Sequence, residues 1–275
     1  EPNAAALEVV FGQVTFTVNC ACTLVITGAN CHASLNHKPI PHWQVLNLQA
    51  NDIIKLNRPK IGIYSYIAVF GGIQSNTYLG SKSALPQAFQ KNSEQVNTYP
   101  LAETSLKPQA TSELSSAKNL QLNMANATTA MQYYDFQKDV LTLRFIPSQA
   151  WALLSDKEQA IFTEQTYEIS PKSNKMGYRL QSKQALDIAY LYQTKRLSKP
   201  VTLGAIQLPS DGQPIVLMKD RQTIGGYAVL GSVVHVDIPR LAQRQSKQKI
   251  RFIKVNAEQA QAQLSAFYHK LCHRD

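Results

Sequence analysis

Residues 7–70 contain the sequence that decides the fold: LEVVF (7–11), VTFTV (14–18), CTLVITG (22–28), WQVLNL (43–48), DIIKL (52–56) and IYSYIAVF (63–70). These short runs are rich in β-branched and apolar residues. Turn-forming residues such as Gly12, Gly28 and Pro59 separate them. Short strands at such close spacing are typical of β-barrels and β-sandwiches, so one of these is predicted for the first part of the chain.

Strand-like sequence returns after residue 139, with LTLRFI at 141–146 and a β-rich block at 202–236. Two helices are predicted in this part. Ser155 followed by acidic residues is typical of a helix start and predicts a helix at 155–163. Apolar residues at helical spacing predict another at 257–269. The chain is therefore predicted to be mainly β, with a few short helices and a C-terminal helix.

The middle of the chain has a different composition. Residues 81–176 contain no glycine, and residues 91–131 are mostly Ser, Thr, Asn, Gln and Ala. Such a segment buries little apolar surface, so it is predicted to be a linker and the least ordered region. A chain of 275 residues has room for two domains. The predicted bounds are 1–90 for the N-terminal half, 91–138 for a polar connector and 139–275 for the C-terminal half.

The net charge of +10 lies mostly in the second half, where residues 139–275 hold 19 basic and 11 acidic side chains. Within this half, the segment 240–254 contains several basic residues and no acidic residue. We interpret this run as a solvent-exposed face. An anionic ligand, an acidic partner protein and nucleic acid are the alternatives. No basic helix, zinc-finger spacing or aromatic RNA-binding signature accompanies the charge, which argues against nucleic acid.

Simple patterns exclude several classes of protein. The longest apolar stretch, residues 63–73, is too short to span a membrane. Four cysteines with no CxxC pair do not make a disulfide scaffold. A protein of the cytoplasm with no membrane partner is expected. The chain starts at Glu1 without a leader, so we expect it to begin inside a longer protein.

The cysteines near the N-terminus and one histidine are interpreted as structural residues rather than as functional ones. Cys20, Cys22 and Cys31–His32 resemble a metal site only in composition, because they lack the spacing of a matched ligand set. His235 stands in VVHVD, which predicts a strand, and is interpreted as a packed core residue rather than a general base. No metal site is predicted.

The segment 204–227, GAIQLPSDGQPIVLMKDRQTIGGY, mixes polar residues and glycines with apolar strand sequence. Arranged as loop, strand and loop, it puts Asp211 and Gln213 at one end of a strand and Asp220 and Gln222 at the other. Gly225 and Gly226 let backbone amides approach an anion. Ordinary turn chemistry also accounts for PSDGQP, so both interpretations stay open.

A second polar segment is SNKMGYRL at 173–180. Arg179 carries a planar guanidinium that suits a carboxylate or a phosphate, and Asn174 carries an amide. An ordinary turn at a strand edge is the alternative. Buried polar groups are costly without partners. We therefore predict that six polar side chains converge on one cleft: Arg179, Asp211, Gln213, Asp220, Gln222 and Tyr227.

These two segments, together with VDIPRLAQ at 236–243, resemble a known family. So do four N-terminal runs: NAAALEVVFGQVTF (3–16), LVITGAN (24–30), YSYIAVFGGI (64–73) and LGSKS (79–83). The sequence is similar to the C subunit of 5-oxoprolinase, or allophanate hydrolase subunit 2, a family of biotin-dependent carboxyltransferase domains. The resemblance covers residues 1–86 and 139–255. It implies two cyclophilin-like β-barrel halves.

The resemblance also implies a function. Members act with a sister subunit, the B subunit of 5-oxoprolinase, and with a lactamase-like third subunit. Together they open 5-oxoproline to L-glutamate at the expense of ATP, with Mg²⁺ as its expected metal. For this reaction we expect Arg179 to hold a carboxylate or phosphate and Asp220 or Asp211 to handle a proton or Mg²⁺, as the catalytic residues. The implied substrate- or nucleotide-binding residues are Asn174, Tyr178, Gln207, Gln213, Gln222, Thr223, Gly225, Gly226 and Tyr227.

Two other functions stay open within the resemblance. One is carboxyl transfer from carboxybiotin, as in urea-degrading relatives, with biotin as a substrate arm because no lysine stands in a biotin-accepting context. The other is non-catalytic, in which the chain antagonises a histidine-kinase inhibitor by holding the sister subunit. The chain departs from the family pattern at Gln74, Lys82, Ser148 and Ala228, which keeps the non-catalytic function under consideration.

Overall fold

The computed structural model describes residues 4–75, 77, 79–83, 139–192 and 197–272. The chain divides into two compact units, residues 1–131 and 132–275. Each unit has its own hydrophobic core. The predicted connector at 91–138, including the segment 91–131 that is expected to be least ordered, lies outside the described residues.

The amino-terminal unit contains eight short strands among its described residues. Their side chains alternate between buried and exposed positions, so that Ile54 and Leu56 lie in the core while Ile53 and Lys55 face outward. The strands are β1 (Leu7–Val10), β2 (Val14–Thr17), β3 (Cys22–Gly28), β4 (Ser34–Leu35), β5 (Lys38–Pro39), β6 (Val45–Leu48), β7 (Ile53–Leu56) and β8 (Tyr64–Val69).

These strands pair antiparallel in two four-stranded sheets, in the orders β1-β8-β3-β6 and β2-β7-β4-β5. Buried residues of both sheets belong to one core, with Ile26 and Ile67 from the first and Ile54 and Leu56 from the second. In the part of this unit that the structure describes, no strand of one sheet pairs with a strand of the other. Among the described residues, this unit is therefore a pair of packed sheets rather than one closed barrel.

The carboxy-terminal unit is also mainly β, and no helix among the described residues is long and apolar enough to cross a membrane. Its strands are β9 (Val140–Pro147), β10 (Tyr167–Ile169), β11 (Gly177–Gln181), β12 (Lys199–Pro200), β13 (Ala205–Leu208), β14 (Ile215–Leu217), β15 (Ile224–Gly225), β16 (Ala228–Val233) and β17 (Lys249–Lys254). Its helices are α1 (Asp156–Glu164), α2 (Ile238–Ala242) and α3 (Ala257–Cys272), with 3₁₀ turns at Trp151–Leu153, Ala189–Tyr192 and His235–Asp237.

Seven strands of this unit form a closed barrel in the order β10-β11-β14-β13-β16-β9-β17, and β17 pairs back to β10. β9 and β17 run parallel, and the other pairs are antiparallel. Inward-facing side chains fill the barrel, and in β9 these are Leu141, Leu143 and Phe145, all fully buried. The predicted mainly β fold with a few short helices and a C-terminal helix is confirmed. Of the two β-barrel halves that the resemblance implies, the described residues close a barrel in the carboxy-terminal unit and form two packed sheets in the amino-terminal one.

Helix α1 is capped at its start and packs against the barrel near its end. It begins after Ser155, whose hydroxyl oxygen accepts a hydrogen bond from the Glu158 amide at 3.3 Å, as the capping pattern predicts. Near its end, the Phe162 ring stacks on Phe252 of β17 with centroids 4.6 Å apart. The Tyr167 hydroxyl donates to the Phe162 carbonyl at 3.2 Å, and burial raises the pKa of Tyr167.

Two predictions about this unit are wrong. His235 is not a packed strand residue, because the chain leaves β16 before it and His235 is exposed at the start of a 3₁₀ turn. The basic run at 240–254 is not a single solvated face. Its first residues lie on and just after α2, which packs against the barrel, so Arg240 is largely buried and Arg244 is only 1% exposed.

A buried carboxylate joins β9 to the turn before α2. Asp237 is fully buried and accepts hydrogen bonds from three groups of Arg144: the backbone amide (2.9 Å), Nε (2.8 Å) and Nη2 (2.5 Å). Nη1 of Arg240 donates a fourth at 3.0 Å. Charge-assisted bonds of this number and geometry offset the cost of removing the carboxylate from water.

We predict that Asp237→Asn destabilises the C-terminal unit. The substitution removes the charge and leaves two guanidinium groups beside the site, and loss of one partner from a buried ion pair costs about 3–5 kcal/mol. In urea denaturation, the free energy of unfolding is expected to fall by about 3 kcal/mol. The control is Asp187→Asn at an exposed position, which is expected to change it by less than about 0.5 kcal/mol. Equal effects of the two substitutions would contradict the prediction.

Candidate functional site

The outer face of the barrel carries a small second layer at β13 and β14. Because side chains alternate along β13, Ile206 and Leu208 lie in the barrel core, whereas Ala205 and Gln207 lie on the other side. Strands β12 and β15 pair as a two-stranded ribbon. Val201, which follows β12, packs with Ala205 and two residues of β14. The ribbon therefore shields part of the outer face from water.

Gln207 lies beneath this ribbon and is only 1% exposed. Its Oε1 accepts a hydrogen bond from Gln222 Nε2 at 3.3 Å. Its Nε2 is buried and has no hydrogen-bond partner among the described residues. A Cβ atom at Gly225 would stand 2.4 Å from this Nε2, so only glycine lets the ribbon close over the amide in this position.

Arg179 lies on the same face as Gln207. It pairs with Ile215 across β11 and β14, and Ile215 pairs with Gln207 across β14 and β13. Residues directly opposite each other on neighbouring strands point to the same side of a sheet. With a spacing of about 4.8 Å between strands, the Cα atoms of Arg179 and Gln207 are about 10 Å apart. The exposed guanidinium side chain and the buried amide thus occupy one cross-strand row.

Three other predicted site residues use their side chains to hold turns. Asn174 Oδ1 accepts from the amides of Met176 (2.9 Å) and Gly177 (3.3 Å), and Asp211 Oδ1 accepts from the Gln213 amide at 3.0 Å. Gln213 Oε1 in turn accepts from the backbone amide of the residue that follows β11, Ser182, at 2.9 Å. Turn chemistry therefore accounts for Asn174, Asp211 and Gln213.

The structure does not bring Asp211 and Asp220 together. The Asp211–Gln213 turn lies beside Ser182, after the end of β11. Asp220 donates its backbone amide to the Lys175 carbonyl at 2.9 Å, before the start of β11. The five residues of β11 between these points span about 15 Å. The six residues predicted to converge on one cleft thus divide among the two ends of this strand and the outer face between them.

The remaining predicted residues differ in exposure. Tyr178 points into the barrel core, and its hydroxyl donates to the Ala242 carbonyl at 2.9 Å. Thr223 and Gly226 are exposed on the ribbon side, and Tyr227 is about half exposed. Of these four, Tyr178 has a clear packing role, and the other three are accessible to a ligand.

The sequence reasoning missed the buried ion cluster of Arg144, Asp237 and Arg240. A signal for it was present, because Arg144 lies in LTLRFI and the other two lie in VDIPRLAQ. Charges of opposite sign inside two otherwise apolar runs indicate a pair, but their spacing in the sequence gives no distance. The cluster fixes α2, whose last residue receives the Tyr178 hydrogen bond.

Among the described residues, no group of three or more His, Cys, Asp or Glu side chains is arranged to hold a metal ion. Cys31 is buried with its Sγ 3.0 Å from Ser65 Oγ, whereas Cys20 is exposed. Burial raises the pKa of Cys31, and the hydrogen bond with Ser65 acts in the opposite direction. The buried thiol is therefore part of the packing of the amino-terminal unit.

Comparisons with known proteins agree along nearly the whole chain. The family described as carboxyltransferase domain, subdomain A and B, matches residues 1–254. The chain is 30% identical to the C subunit of 5-oxoprolinase from Escherichia coli (strain K12) over 268 residues, which cover 94% of this chain and 78% of that protein. It is 21% identical to the urea amidolyase of Lachancea kluyveri over 94% of this chain and 14% of that protein.

Solved structures share the fold. The urea amidolyase of Kluyveromyces lactis matches with a TM-score of 0.71 and 16% sequence identity, over 96% of this chain and 16% of that chain. This chain therefore corresponds in fold to about one sixth of that enzyme. From the match over residues 1–254 and the 30% identity to the bacterial protein, we conclude that the chain belongs to the carboxyltransferase domain, subdomain A and B, family.

Proposed function

We propose that this chain is a subunit of an ATP-dependent 5-oxoprolinase, which converts 5-oxoproline to L-glutamate together with sister subunits. The observation that carries the proposal is the buried amide of Gln207, whose Nε2 has no partner among the described residues. The 30% identity to the C subunit of the Escherichia coli 5-oxoprolinase supports it.

The polar groups of 5-oxoproline match the row that contains Gln207 and Arg179. The substrate has a lactam carbonyl and a carboxylate. The Gln207 Nε2 donates to the carbonyl oxygen, and the Arg179 guanidinium binds the carboxylate as a fork. Both residues lie on the outer face of the barrel, and an arginine side chain is long enough to cover most of the distance of about 10 Å between their Cα atoms. A buried donor stabilises the negative charge that develops on the carbonyl oxygen when the ring opens.

Substrate reaches Gln207 only when the ribbon of β12 and β15 moves. In the structure the Gly225 backbone packs against the Gln207 amide. The ribbon has two residues in each strand and pairs through Lys199 with Gly225 and Pro200 with Ile224. So short a ribbon has few hydrogen bonds to break, so a small displacement is enough to admit a ligand.

Proton transfer is assigned to Asp220. Its side chain is exposed, while the carboxylate of Asp211 is engaged in its own turn. Asp220 lies on the segment that leads from β14 to Gln222, the hydrogen-bond partner of Gln207. Its backbone is held beside Lys175 at the start of β11, so in this proposal the segment with Asp220 and Gln222 moves together with the ribbon and brings the carboxylate to the substrate.

The residues of this chain do not by themselves fit a site for Mg²⁺ and ATP. No P-loop is present in the sequence. Asp211 and Asp220 lie beyond opposite ends of β11, a strand about 15 Å long, and cannot bind one Mg²⁺ together. We assign the nucleotide and its metal to a site completed by the sister subunits, a partner like the B subunit of 5-oxoprolinase and a lactamase-like third subunit.

Carboxyl transfer is the second candidate function. The 21% identity to the Lachancea kluyveri urea amidolyase favours it. Urea, like a lactam, presents an amide carbonyl, so the Gln207 amide suits both substrates. This function needs carboxybiotin delivered by another protein. Formation of carboxylated urea and free biotin from carboxybiotin and urea by the chain, and no reaction of the reconstituted complex with 5-oxoproline, would support this candidate over 5-oxoprolinase.

The isolated chain is predicted not to release glutamate from 5-oxoproline and ATP, because its nucleotide site is incomplete without the sister subunits. Glutamate formation is measured for the chain alone and for the full-length protein reconstituted with its sister subunits. Activity is expected only in the reconstituted complex. Glutamate release by the isolated chain would contradict the shared-site assignment.

Arg179→Ala and Asp220→Asn are predicted to lower ATP-coupled turnover of the reconstituted complex by at least about tenfold, the effect of losing one charge-assisted contact. The matched control is Asp211→Asn, which removes a carboxylate but keeps the oxygen that accepts from the Gln213 amide. It is expected to leave turnover within about twofold of the original. If all three variants assemble and turn over normally, the chain acts by holding its partner and not by catalysis.

A glycine pair tests the role of the Gln207 amide. Gly225→Ala places a methyl group on Gln207 Nε2, whereas Gly226→Ala meets no atom closer than 3.8 Å. We predict that Gly225→Ala displaces the amide and lowers turnover at least about fivefold, while Gly226→Ala has less than about a twofold effect. The free energy of unfolding, measured for both variants, separates lost activity from lost folding. Equal turnover of both variants would show that Gln207 is not part of the site.

A further inference from the structure

The amino-terminal unit contains a cavity of about 500 Å³ that the proposed function does not use. It lies beside the hairpin of β4 and β5 and the end of β7. A volume of this size accommodates a small molecule. Its polar lining comes from three histidines, two asparagines, a serine and a lysine: Asn30, His32, Ser34, His37, His42, Lys55 and Asn57.

The charge of the lining favours an anion. The lining contains Lys55 and three imidazoles but no Asp or Glu. Lys55 is exposed at the cavity, and each histidine adds a positive charge when it is protonated. A concave surface with charges of one sign concentrates ligands of the opposite sign.

His42 has unsatisfied hydrogen-bonding groups. Both ring nitrogens are shielded from water and have no partner among the described residues. A neutral imidazole carries one donor and one acceptor, and a buried group left unpaired is unfavourable. Burial, and to a smaller extent the charge of His32, lowers the pKa of His42. Because both nitrogens are shielded, an anion reaches them only when the wall of the cavity around His42 rearranges, and it then supplies an acceptor for the ring donor.

Hydrogen bonds with two asparagines hold the backbone at His32. Asn30 Oδ1 accepts from the His32 amide at 2.9 Å, and Asn57 Nδ2 donates to the His32 carbonyl at 2.9 Å. His32, His37 and Trp43 have φ values of 45°, 69° and 63°, in the left-handed region that such residues rarely adopt. Such backbone persists only where the surroundings fix it, so the chain around His32 and His37 is held by its neighbours.

We propose that this cavity binds a small oxyanion, a carboxylate or a phosphate group, through Lys55, His32, His37 and His42. The site lies within the amino-terminal unit and is distinct from the outer face of the barrel in the carboxy-terminal unit. It does not depend on the 5-oxoprolinase proposal, because neither Gln207 nor Arg179 contributes to it.

The first test follows the histidine ring signals of the full chain by NMR during titration with sodium phosphate, with sodium L-glutamate and with sodium chloride at matched ionic strength. The signals of His32, His37 and His42 are expected to move and saturate with phosphate or with glutamate but not with chloride. Saturation by only one of the two identifies phosphate or carboxylate as the preferred group. His235 and His269, in the other unit, are expected to stay unchanged. No saturation, or equal movement of all histidines, would overturn the proposal.

The second test uses variants and the dissociation constant of whichever anion binds. Lys55→Gln is expected to weaken binding at least about fivefold, and Lys172→Gln, the same change at an exposed position in the other unit, less than about twofold. His42→Phe replaces unpaired polar atoms by apolar ones of similar size, so the unit is expected to keep its stability while binding weakens at least about fivefold. Unchanged binding by both Lys55→Gln and His42→Phe would place the anion elsewhere.

Discussion

The parallel pairing of β9 with β17 is the constraint on which the carboxy-terminal unit depends. It joins the first and last strands of the barrel along the chain: Thr142 pairs with Arg251, which lies 109 positions later in the sequence. Every residue from Val140 to Phe145 is paired with a residue of β17. Once the sheet is closed, each strand has one face in the core and one face outside. Gln207 and Arg179 are therefore on the outer face because Ile206, Leu208, Tyr178 and Leu180 are inside.

The ribbon over Gln207 follows from the same closure. The outer face of a small barrel is normally wet, but here Val201, Ala205, Ile215 and Leu217 form a second apolar layer outside it. This layer removes the Gln207 amide from water without providing a partner for its Nε2. A buried polar group without a hydrogen-bond partner destabilises the folded state. Such a group persists when a ligand forms the missing hydrogen bond or when the surrounding packing offsets the lost stability.

Much of the fold follows from local patterns, and much of the site does not. The alternation in Ile53–Leu56 and the cap at Ser155 are local signals, so the strands and α1 were predictable from the sequence. The roles of Asp211 and Gln207 were not, because the same polar residue holds a turn or binds a ligand depending on which distant strand lies beside it. The burial of Arg244 was missed for the same reason, since charge in the sequence carries no information on packing.

In both units, polar side chains that have hydrogen-bond partners within the fold are explained by structure, whereas buried ones without such partners indicate a binding function. Asn174, Asp211 and Gln213 find their partners within their own turns or the next strand, so the fold alone explains them. Gln207 Nε2 and the His42 ring are buried without partners among the described residues, which the fold alone does not explain. A buried amide donor matches a carbonyl oxygen, and a buried imidazole beside other cationic groups matches an anion. Because the two groups call for different ligands and lie in different units, each site stands or fails separately.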